Sequence, residues 1–217
     1  MGEYQRARSA EHKQERMDAI MAAADGLFAR LPYHDITMGA IAEELGWSRS
    51  NLYKYAATKE EIFMALHARK NRAWLEDLAA ALTAAGDGEE PLPAAAFARI
   101  WAEVTARHTD FLRYQEILFA IIESNVTLER LADFKRNWAE MVEPIRTILA
   151  RQCDISEEEA LNLYLRLLYQ APALRAHFQC ADLTREAMAL AGLPPITGTF
   201  AEGYADFVEV CVRAAMW

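Results

Sequence analysis

The side chains best suited to chemistry are polar groups crowded at the start of one short helical segment. Ser48 follows a glycine turn as a helix N-cap, and Arg49, Ser50 and Asn51 come directly after it. An arginine guanidinium can form two hydrogen bonds with guanine, and an asparagine amide can do the same with adenine. The free N–H groups at such a helix start suit a phosphate. This order of residue types points to contacts with DNA rather than to enzyme catalysis.

The residues on either side extend the same polar surface. Tyr53, Lys54 and Tyr55 supply two hydroxyl groups and a cation. Leu52 falls on the opposite face of the segment, where we expect it to anchor the helix in a core. Upstream, Thr37 is placed to cap the preceding helix. Taken alone, the two tyrosines and the lysine fit the solvated face of any helical protein equally well.

Helical periodicity and capping residues dominate the rest of the chain. Hydrophobic residues make up 53%, whereas 9 glycines and 7 prolines are too few for a strand-and-turn architecture. Apolar positions at helical spacing predict a first helix over about 10–31, and a loop is predicted over about 85–93. Later helices are predicted to begin at residue 94 and after Thr58, Thr109, Thr127, Ser156 and Thr199.

Charge is distributed unevenly along the chain. The net charge is −9, but residues 1–70 hold 10 basic and 10 acidic side chains, whereas residues 71–217 hold 13 and 22. An acidic body repels DNA phosphates, so a DNA partner is expected to dock on the neutral N-terminal part. The sequence lacks a signal peptide and an apolar run of membrane-spanning length, so we expect a cytoplasmic protein with no membrane partner.

Catalytic and metal-binding patterns do not stand out in the sequence. The five histidines are scattered without ligand spacing, and no glycine-rich phosphate loop is present. Cys153, Cys180 and Cys211 are far apart and fit buried thiols in a reducing compartment. The sequence therefore predicts no metal, no cofactor and no enzyme activity.

The stretch from about residue 16 to 62 resembles the N-terminal signature of the tetracycline-repressor (TetR) family of bacterial transcription regulators. The resemblance implies an all-α fold with a three-helix DNA-binding domain, containing a helix-turn-helix, over residues 1–60. A helical ligand-binding and dimerisation body is implied over residues 61–217. The likeness rests on Ile20, Ala24, Leu27, Phe28, Thr37, Ile41, Ala42, Gly46, Ser48, Leu52, Tyr53, Lys59 and Glu60.

The resemblance also implies individual roles at the predicted DNA surface. Three departures from the family pattern, Pro32, Trp47 and Ala56, imply an altered docking geometry of the same surface. The implied roles are phosphate contact by Thr37 and Lys59, contact with base edges by Arg49, Ser50 and Asn51, and contact with the DNA backbone and groove wall by Tyr53 and Tyr55, with Ser48 and Lys54 in the same surface.

Two further groups of residues are candidates for function in the body. Aromatic side chains on successive helices predict a pocket for an apolar or aromatic small molecule, with plain hydrophobic core as the alternative. Its predicted lining is Trp74, Phe97, Trp101, Phe111, Tyr114, Phe134 and Trp138. The last helices are candidates for a dimer interface, with packing inside one chain as the alternative. The predicted interface residues are Leu161, Tyr164, Leu165, Leu168, Tyr204, Phe207, Val208 and Cys211.

Together these features predict a homodimeric, ligand-responsive regulator that binds double-stranded DNA. Repression is the preferred mode, with release from a palindromic operator by a small apolar or aromatic effector, although an activator, or a regulator with no small ligand, fits the same residues. The competing hypothesis is a helical small-molecule-binding protein or enzyme whose N-terminal motif is only structural. That hypothesis requires clustered catalytic residues in the body, and the sequence offers none.

Overall fold

Helices and turns make up the part of the chain that the computed structural model describes, residues 2–86 and 91–216, with no strand among those residues. The predicted all-α fold is thus confirmed, while residues 87–90 of the predicted loop lie outside the described part. The helices are α1 (Gly2–Arg30), α2 (Met38–Glu44), α3 (Arg49–Leu52), α4 (Lys59–Ala85), α5 (Ala94–Arg107), α6 (Thr109–Ile117), α7 (Leu128–Cys153), α8 (Glu157–Phe178), α9 (Asp182–Leu190) and α10 (Phe200–Ala215).

Side-chain caps mark the starts of at least six of these helices. At the predicted starts of α4 and α7, Oγ1 of Thr58 accepts the N–H of Glu61 and Oγ1 of Thr127 accepts the N–H of Arg130. The hydroxyls of Thr37 and Ser48 cap α2 and α3, as predicted. Ser156 and Thr199 begin α8 and α10 with complete capping boxes, in which a glutamate three residues later bonds back to the cap. The polar residues that start these helices therefore specify the helix boundaries locally, without help from distant contacts.

Three elements differ from the prediction. Helix α1 begins at Gly2 rather than near residue 10. The prediction missed residues 2–9 because most of them favour helix but form no apolar stripe at helical spacing. Thr109 is the first residue of α6 rather than its cap, and Asp110 accepts the N–H of Phe111 instead. Helix α9 was not predicted, and none of its residues is buried.

The chain divides into two compact units. The N-terminal unit comprises residues 1–69 and 117–135, and the C-terminal unit comprises residues 70–116 and 136–217. Residues 61–69 therefore group with the first three helices, as does the segment containing a π-helical turn, Leu118–Ile122. The functional boundary at residue 60 stays a prediction.

The N-terminal unit is organised around Phe63 of α4. Its ring meets Phe28 of α1 edge-on at a centroid distance of 5.2 Å and Tyr33 at 4.9 Å. Ile41 of α2 and Leu52 of α3 are fully buried in the same unit. Each of the short helices α2 and α3 is thus anchored by an apolar side chain, which holds its other face toward solvent.

The C-terminal unit has an aromatic core with paired polar groups. The Trp74 ring stacks on Phe111 at 5.2 Å, and its indole N–H donates to Oγ1 of Thr105 at 3.2 Å. The indole N–H of Trp101 donates to the Tyr204 hydroxyl at 3.1 Å, which in turn donates to the carbonyl of Leu167 at 2.8 Å. These bonds link α4, α5, α8 and α10 while the rings exclude water.

Candidate nucleic-acid interface

The turn between α2 and α3 is fixed by backbone geometry. Gly46 adopts a φ of +65°, a left-handed conformation that favours glycine, and the next N–H, of Trp47, reaches the carbonyl of Ala42 at 2.8 Å. Helix α3 starts two residues later at Arg49. This confirms the predicted helix–glycine turn–helix arrangement and fixes the direction in which α3 leaves α2.

Helix α3 presents its polar residues to solvent. Leu52 is fully buried, whereas Arg49, Ser50 and Lys54 are exposed, and Tyr53 exposes 53% of its surface. Asn51 and Tyr55, both predicted for the DNA surface, are half-buried. The structure therefore brings the predicted DNA-contacting residues of this segment together around one short, core-anchored helix.

The two capping hydroxyls serve the protein backbone first. Oγ1 of Thr37 accepts the N–H of Ala40 at 3.1 Å, and Oγ of Ser48 accepts the N–H of Asn51 at 3.3 Å. The Ser48 and Ser50 hydroxyls also lie 3.0 Å apart. A capping hydroxyl that accepts a backbone N–H still carries its own proton, which it can donate to another group. Thr37 and Ser48 can therefore cap a helix and donate to a phosphate at the same time.

Gly39 of α2 is a residue that the sequence prediction missed. A β-carbon at Gly39 would lie only 2.6 Å from Nη2 of Arg49, so the guanidinium lies directly against the glycine. This close approach orients the exposed arginine across α2. The available signal was a glycine inside a short helix, which is unfavourable unless another group needs the space.

Trp47 connects α1 with the segment that follows α3. Its ring lies 6.0 Å from the ring of Tyr55, and Cζ of Arg16 lies 5.0 Å from the Trp47 ring centroid. Tyr55 is therefore held from the side by an aromatic neighbour. This departure from the family pattern gives Trp47 a positioning role next to a predicted DNA contact.

Lys59 is directed toward the protein backbone. Its Nζ donates to the carbonyls of Tyr33 at 2.9 Å and Ile36 at 2.7 Å, and it lies 4.1 Å from the Tyr33 ring centroid. The Tyr33 hydroxyl donates to Oε1 of Glu60 at 2.8 Å. Nζ retains one further N–H for a phosphate. Phosphate contact by Lys59 stays a prediction, whereas its bonds within the N-terminal unit are observed.

Partial burial shifts the pKa values of Lys59 and Tyr33. Burial lowers the pKa of Lys59, while the nearby carboxylates of Glu60 and Asp35 act in the opposite direction. Burial raises the pKa of Tyr33 well above its usual range, and the hydrogen bond and charge of Glu60 add to that shift. Tyr33 therefore remains a neutral donor to Glu60 at physiological pH.

The predicted effector residues do not form one group. Trp74, Phe97, Trp101, Phe111 and Tyr114 each expose at most 1% of their surface in the C-terminal unit, where Trp138 is half-buried. Phe134 belongs to the N-terminal unit instead, and its ring lies 5.6 Å from that of His67. Helical spacing identified buried aromatic residues correctly but did not identify the residues that pack around them.

Two clefts in the C-terminal unit have other linings. One, of about 170 Å³, lies between α4 and α7 and is lined by Leu75, Met141 and Ile145 among others. The second, of about 340 Å³, lies between α5 and α10 and includes Arg99 and Asp206 in its lining. Neither is lined by the predicted aromatic residues, so their role as effector contacts stays a prediction.

The predicted dimer residues fall into two classes. Tyr164, Leu168, Tyr204 and Val208 are buried inside a single chain, where α10 packs against both α5 and α8. These four residues belong to the core, which corrects that part of the predicted interface. Leu161, Leu165, Phe207 and Cys211 are half-buried, so part of each remains on the surface of the chain.

Other potentially reactive groups do not form a site. No cluster of three or more His, Cys, Asp or Glu side chains capable of holding a metal ion occurs within residues 2–86 and 91–216. Burial raises the pKa of the Cys153 thiol to about 11, whereas Cys180 and Cys211 are only half-buried. Within residues 2–86 and 91–216, every helix is too short or too polar to span a lipid bilayer.

Known families match both parts of the chain. The family described as "Bacterial regulatory proteins, tetR family" matches residues 20–66, and "Tetracyclin repressor-like, C-terminal domain" matches residues 68–214. YfiR, an uncharacterised HTH-type transcriptional regulator of Bacillus subtilis (strain 168), is 40% identical over 53 residues. That alignment covers 24% of this chain and 26% of YfiR, so the chain aligns with about a quarter of that relative.

Solved structures share the fold along most of the chain. AmtR of Mycobacterium smegmatis has a TM-score of 0.51 at 20% identity, covering 91% of this chain and 84% of that chain. A TetR/AcrR-family regulator of Thermobifida fusca YX-ER1 has a TM-score of 0.51 at 18% identity, covering 93% and 97%. These likenesses concern the fold, while the family matches cover more than half of the chain. The chain therefore belongs to the TetR family of bacterial transcriptional regulators and is a regulator with a DNA-binding domain, not an enzyme.

Proposed function

We propose that this regulator is a homodimeric repressor that leaves a palindromic operator when a small molecule binds its C-terminal unit. The observation that carries the proposal is the exposed start of α3, where Arg49, Ser50 and Asn51 follow a capped helix start anchored by Leu52. Side chains of these types recognise base edges in the major groove. A repressor of this kind acts on the bacterial chromosome and therefore in the cytoplasm.

Dimerisation gives the short recognition helix sufficient affinity. Helix α3 comprises only Arg49–Leu52, so one copy contacts few base pairs. Two copies on a two-fold axis contact half-sites about one helical turn apart, roughly 34–36 Å. An effector that favours another spacing of the two copies weakens DNA binding by the difference in its affinity for the two arrangements.

Exposed apolar residues support α8–α10 as the dimer surface. Single exposed hydrophobic residues are ordinary on a protein surface, whereas several on neighbouring segments indicate an interaction site. On α8 and α10 they lie on the same outer faces as the half-buried residues of the predicted interface. The exposed large hydrophobic residues in this region are Tyr169, Leu183, Leu190, Leu193, Val210 and Met216.

We expect Val210→Glu to weaken the dimer, because Val210 exposes 67% of its surface on the outer face of α10. A buried, unpaired carboxylate on each side of a two-fold interface is costly. Sedimentation equilibrium would show a shift toward monomer. Leu128→Glu is the matched control, since Leu128 exposes 78% of its surface outside the proposed interface. Monomer formation by Leu128→Glu, with an intact dimer in Val210→Glu, would place the interface elsewhere.

A gel shift with a palindromic fragment from upstream of its own gene tests the proposed function. We expect binding that depends on sequence, weakens steeply with salt and saturates at one dimer per palindrome. Unlabelled operator should compete, and random DNA of equal length should compete poorly. Absence of sequence-dependent, salt-sensitive binding would contradict the proposal. Binding that activates rather than blocks transcription in vitro would contradict only the repressor assignment.

A further inference from the structure

Two polar groups in the C-terminal core are buried without hydrogen-bond partners. Asn71 of α4 is fully buried, and neither Oδ1 nor Nδ2 bonds to any residue in the described part of the chain. The hydroxyl of Tyr164 on α8 is likewise buried and without such a bond among those residues. Proteins pair nearly all buried polar atoms, so each unpaired group needs an explanation.

Neighbouring polar groups show that this core otherwise pairs its donors and acceptors. Trp74 donates to Thr105, and the Tyr204 hydroxyl both accepts from Trp101 and donates to the backbone. Burial raises the pKa of Tyr164, and the nearby indole N–H of Trp138 partly offsets that rise, although its position does not meet the geometry of a hydrogen bond to the Tyr164 hydroxyl. The unpaired Asn71 amide and Tyr164 hydroxyl are therefore exceptions in a core whose neighbouring polar groups form hydrogen bonds.

The Tyr164 ring packs beside the Trp74 ring, and Asn71 shares a face of α4 with Trp74. The Tyr164 ring centroid lies 6.1 Å from that of Trp74 and 6.3 Å from that of Trp138. Asn71 precedes Trp74 by three residues on α4, which places the two side chains on the same helix face one turn apart. Trp74 therefore relates the two residues, through the helix face it shares with Asn71 and through its contact with the Tyr164 ring.

The cleft between α4 and α7 begins one helical turn along α4 from Asn71 and one turn along α7 from Trp138, whose ring lies beside that of Tyr164. Leu75, in its lining, follows Asn71 by four residues on α4, and Met141 follows Trp138 by three residues on α7. Pro144 also lines the cleft and cannot donate a backbone hydrogen bond within α7. Helix α7 therefore lacks one backbone hydrogen bond beside the cleft. Its wall of the cleft should move away from α4 more easily than the α4 wall moves.

We propose that the α4–α7 cleft is the mouth of an effector site for an uncharged aromatic carboxamide or lactam, with Asn71 and Tyr164 at its inner end. The Asn71 side chain offers N–H donors to the carbonyl of a ligand amide and a carbonyl acceptor to its N–H, and the Tyr164 hydroxyl donates to the same ligand carbonyl. The inference rests on the proposed function only in naming the ligand an effector.

Size and polarity decide the ligand class. The cleft volume of about 170 Å³ suits one aromatic ring with a small substituent, because a cavity of roughly 150 Å³ is sufficient for benzene. A charged ligand would lose hydration next to the apolar rings at the inner end. The charged residues at the mouth, Arg72, Glu76 and Glu140, are exposed and remain solvated.

Thermal unfolding of the full-length protein provides the first test. Tyr204→Phe is the matched control, because Tyr204 is as buried as Tyr164 but its hydroxyl makes two hydrogen bonds. We expect Tyr204→Phe to lower Tm by about 3 °C or more. Tyr164→Phe and Asn71→Leu should leave Tm unchanged or raise it, because each removes an unpaired polar group. Losses as large as that of Tyr204→Phe would overturn the proposal, since both groups would then serve the fold.

Benzamide is the ligand probe for the second test. Ethylbenzene keeps the ring without the amide, and benzoate carries a charge. We expect millimolar benzamide alone to raise the Tm of the wild-type protein, by about 2 °C. The shift should disappear in Asn71→Leu, shrink in Tyr164→Phe and persist in Tyr204→Phe. No shift in the wild type, equal shifts with ethylbenzene or benzoate, or an unchanged shift in Asn71→Leu would overturn the inference.

DNA binding by the wild-type protein, measured without benzamide, separates this inference from the proposed function. Sequence-specific binding combined with no benzamide shift defeats the inference alone. A benzamide shift that requires Asn71, combined with no specific DNA binding, supports the ligand site and defeats the proposed function. Release of bound operator by benzamide, lost in Asn71→Leu, is the result we expect when both hold.

Discussion

Lys59→Met is expected to destabilise the N-terminal unit and to weaken binding to every DNA sequence, without changing the salt dependence of binding. The Lys59 ammonium donates to the carbonyls of Tyr33 and Ile36 and lies over the Tyr33 ring. Methionine retains the length of the side chain but leaves both carbonyls without that donor. Because the site is half-exposed and water replaces part of the loss, we expect about 2 kcal/mol of lost unfolding free energy.

Lys54→Met is the matched control for this prediction, because Lys54 lies in the exposed segment after α3. If Lys54 contacts phosphate, its loss reduces the salt slope of DNA binding by about one and leaves the unfolding free energy unchanged. Urea unfolding and binding titrations at several salt concentrations measure both quantities. A reduced salt slope with unchanged stability in Lys59→Met would instead identify Lys59 as the phosphate contact that the family resemblance implies.

Local signals explain which parts of the fold could be predicted from the sequence. The caps at Thr37 and Ser48 and the left-handed Gly46 involve groups within a few residues of one another, so the sequence specifies them without tertiary context. Helix α9 carries exposed Leu183 and Leu190 and buries no side chain, so it gave no pattern of core positions to detect. Sequence periodicity detects burial, and α9 is helical without it.

Periodicity in the sequence could not predict which residues pack against one another in the folded chain. Phe134 repeats in register with Trp138 on one predicted helix, yet the two residues belong to different compact units. Tyr164 and Tyr204 were predicted for a dimer interface, but they are buried within one chain. A helix face that must be covered looks the same in sequence whether the cover is a neighbouring helix or a second protein copy.

The same limit applies to the DNA surface at Lys59 and Gly39. A lysine at the start of a helix suggested a phosphate contact, and the sequence could not show that two carbonyls lie within reach. Gly39 gains its role only because Arg49, ten residues later, lies against it. Both cases depend on side chains that meet through folding, which one-dimensional spacing does not report.

Arg49→Ala is expected to lower affinity for the specific operator by about 10- to 100-fold, which corresponds to the loss of one bidentate arginine–guanine pair. Arg49 is exposed at the first position of α3, and its guanidinium lies against Gly39 of α2. Binding to random DNA should fall only a few-fold, because one positive charge is lost. The ratio of specific to non-specific affinity should therefore decline.

Operators selected in vitro from random DNA, using the wild-type protein and the variant in parallel, provide the measurement. We expect the variant to lose preference at one position in each half-site. Arg107→Ala removes the same charge from an exposed site on α5 and should leave the preference unchanged. An equal fall in specific and random binding for Arg49→Ala would mean that Arg49 contacts phosphate rather than a base.

Gly39→Ala tests whether the position of the Arg49 guanidinium matters as well as its presence. Alanine favours helix, so α2 should remain folded, but its β-carbon would displace Nη2 from its place 2.6 Å away. We expect the variant to keep its affinity for random DNA and to show a weakened or shifted preference at the same half-site position as Arg49→Ala. Because the change adds no charge and removes no hydrogen-bonding group, a shared position in the two selections would show that α2 directs the base contact made from α3.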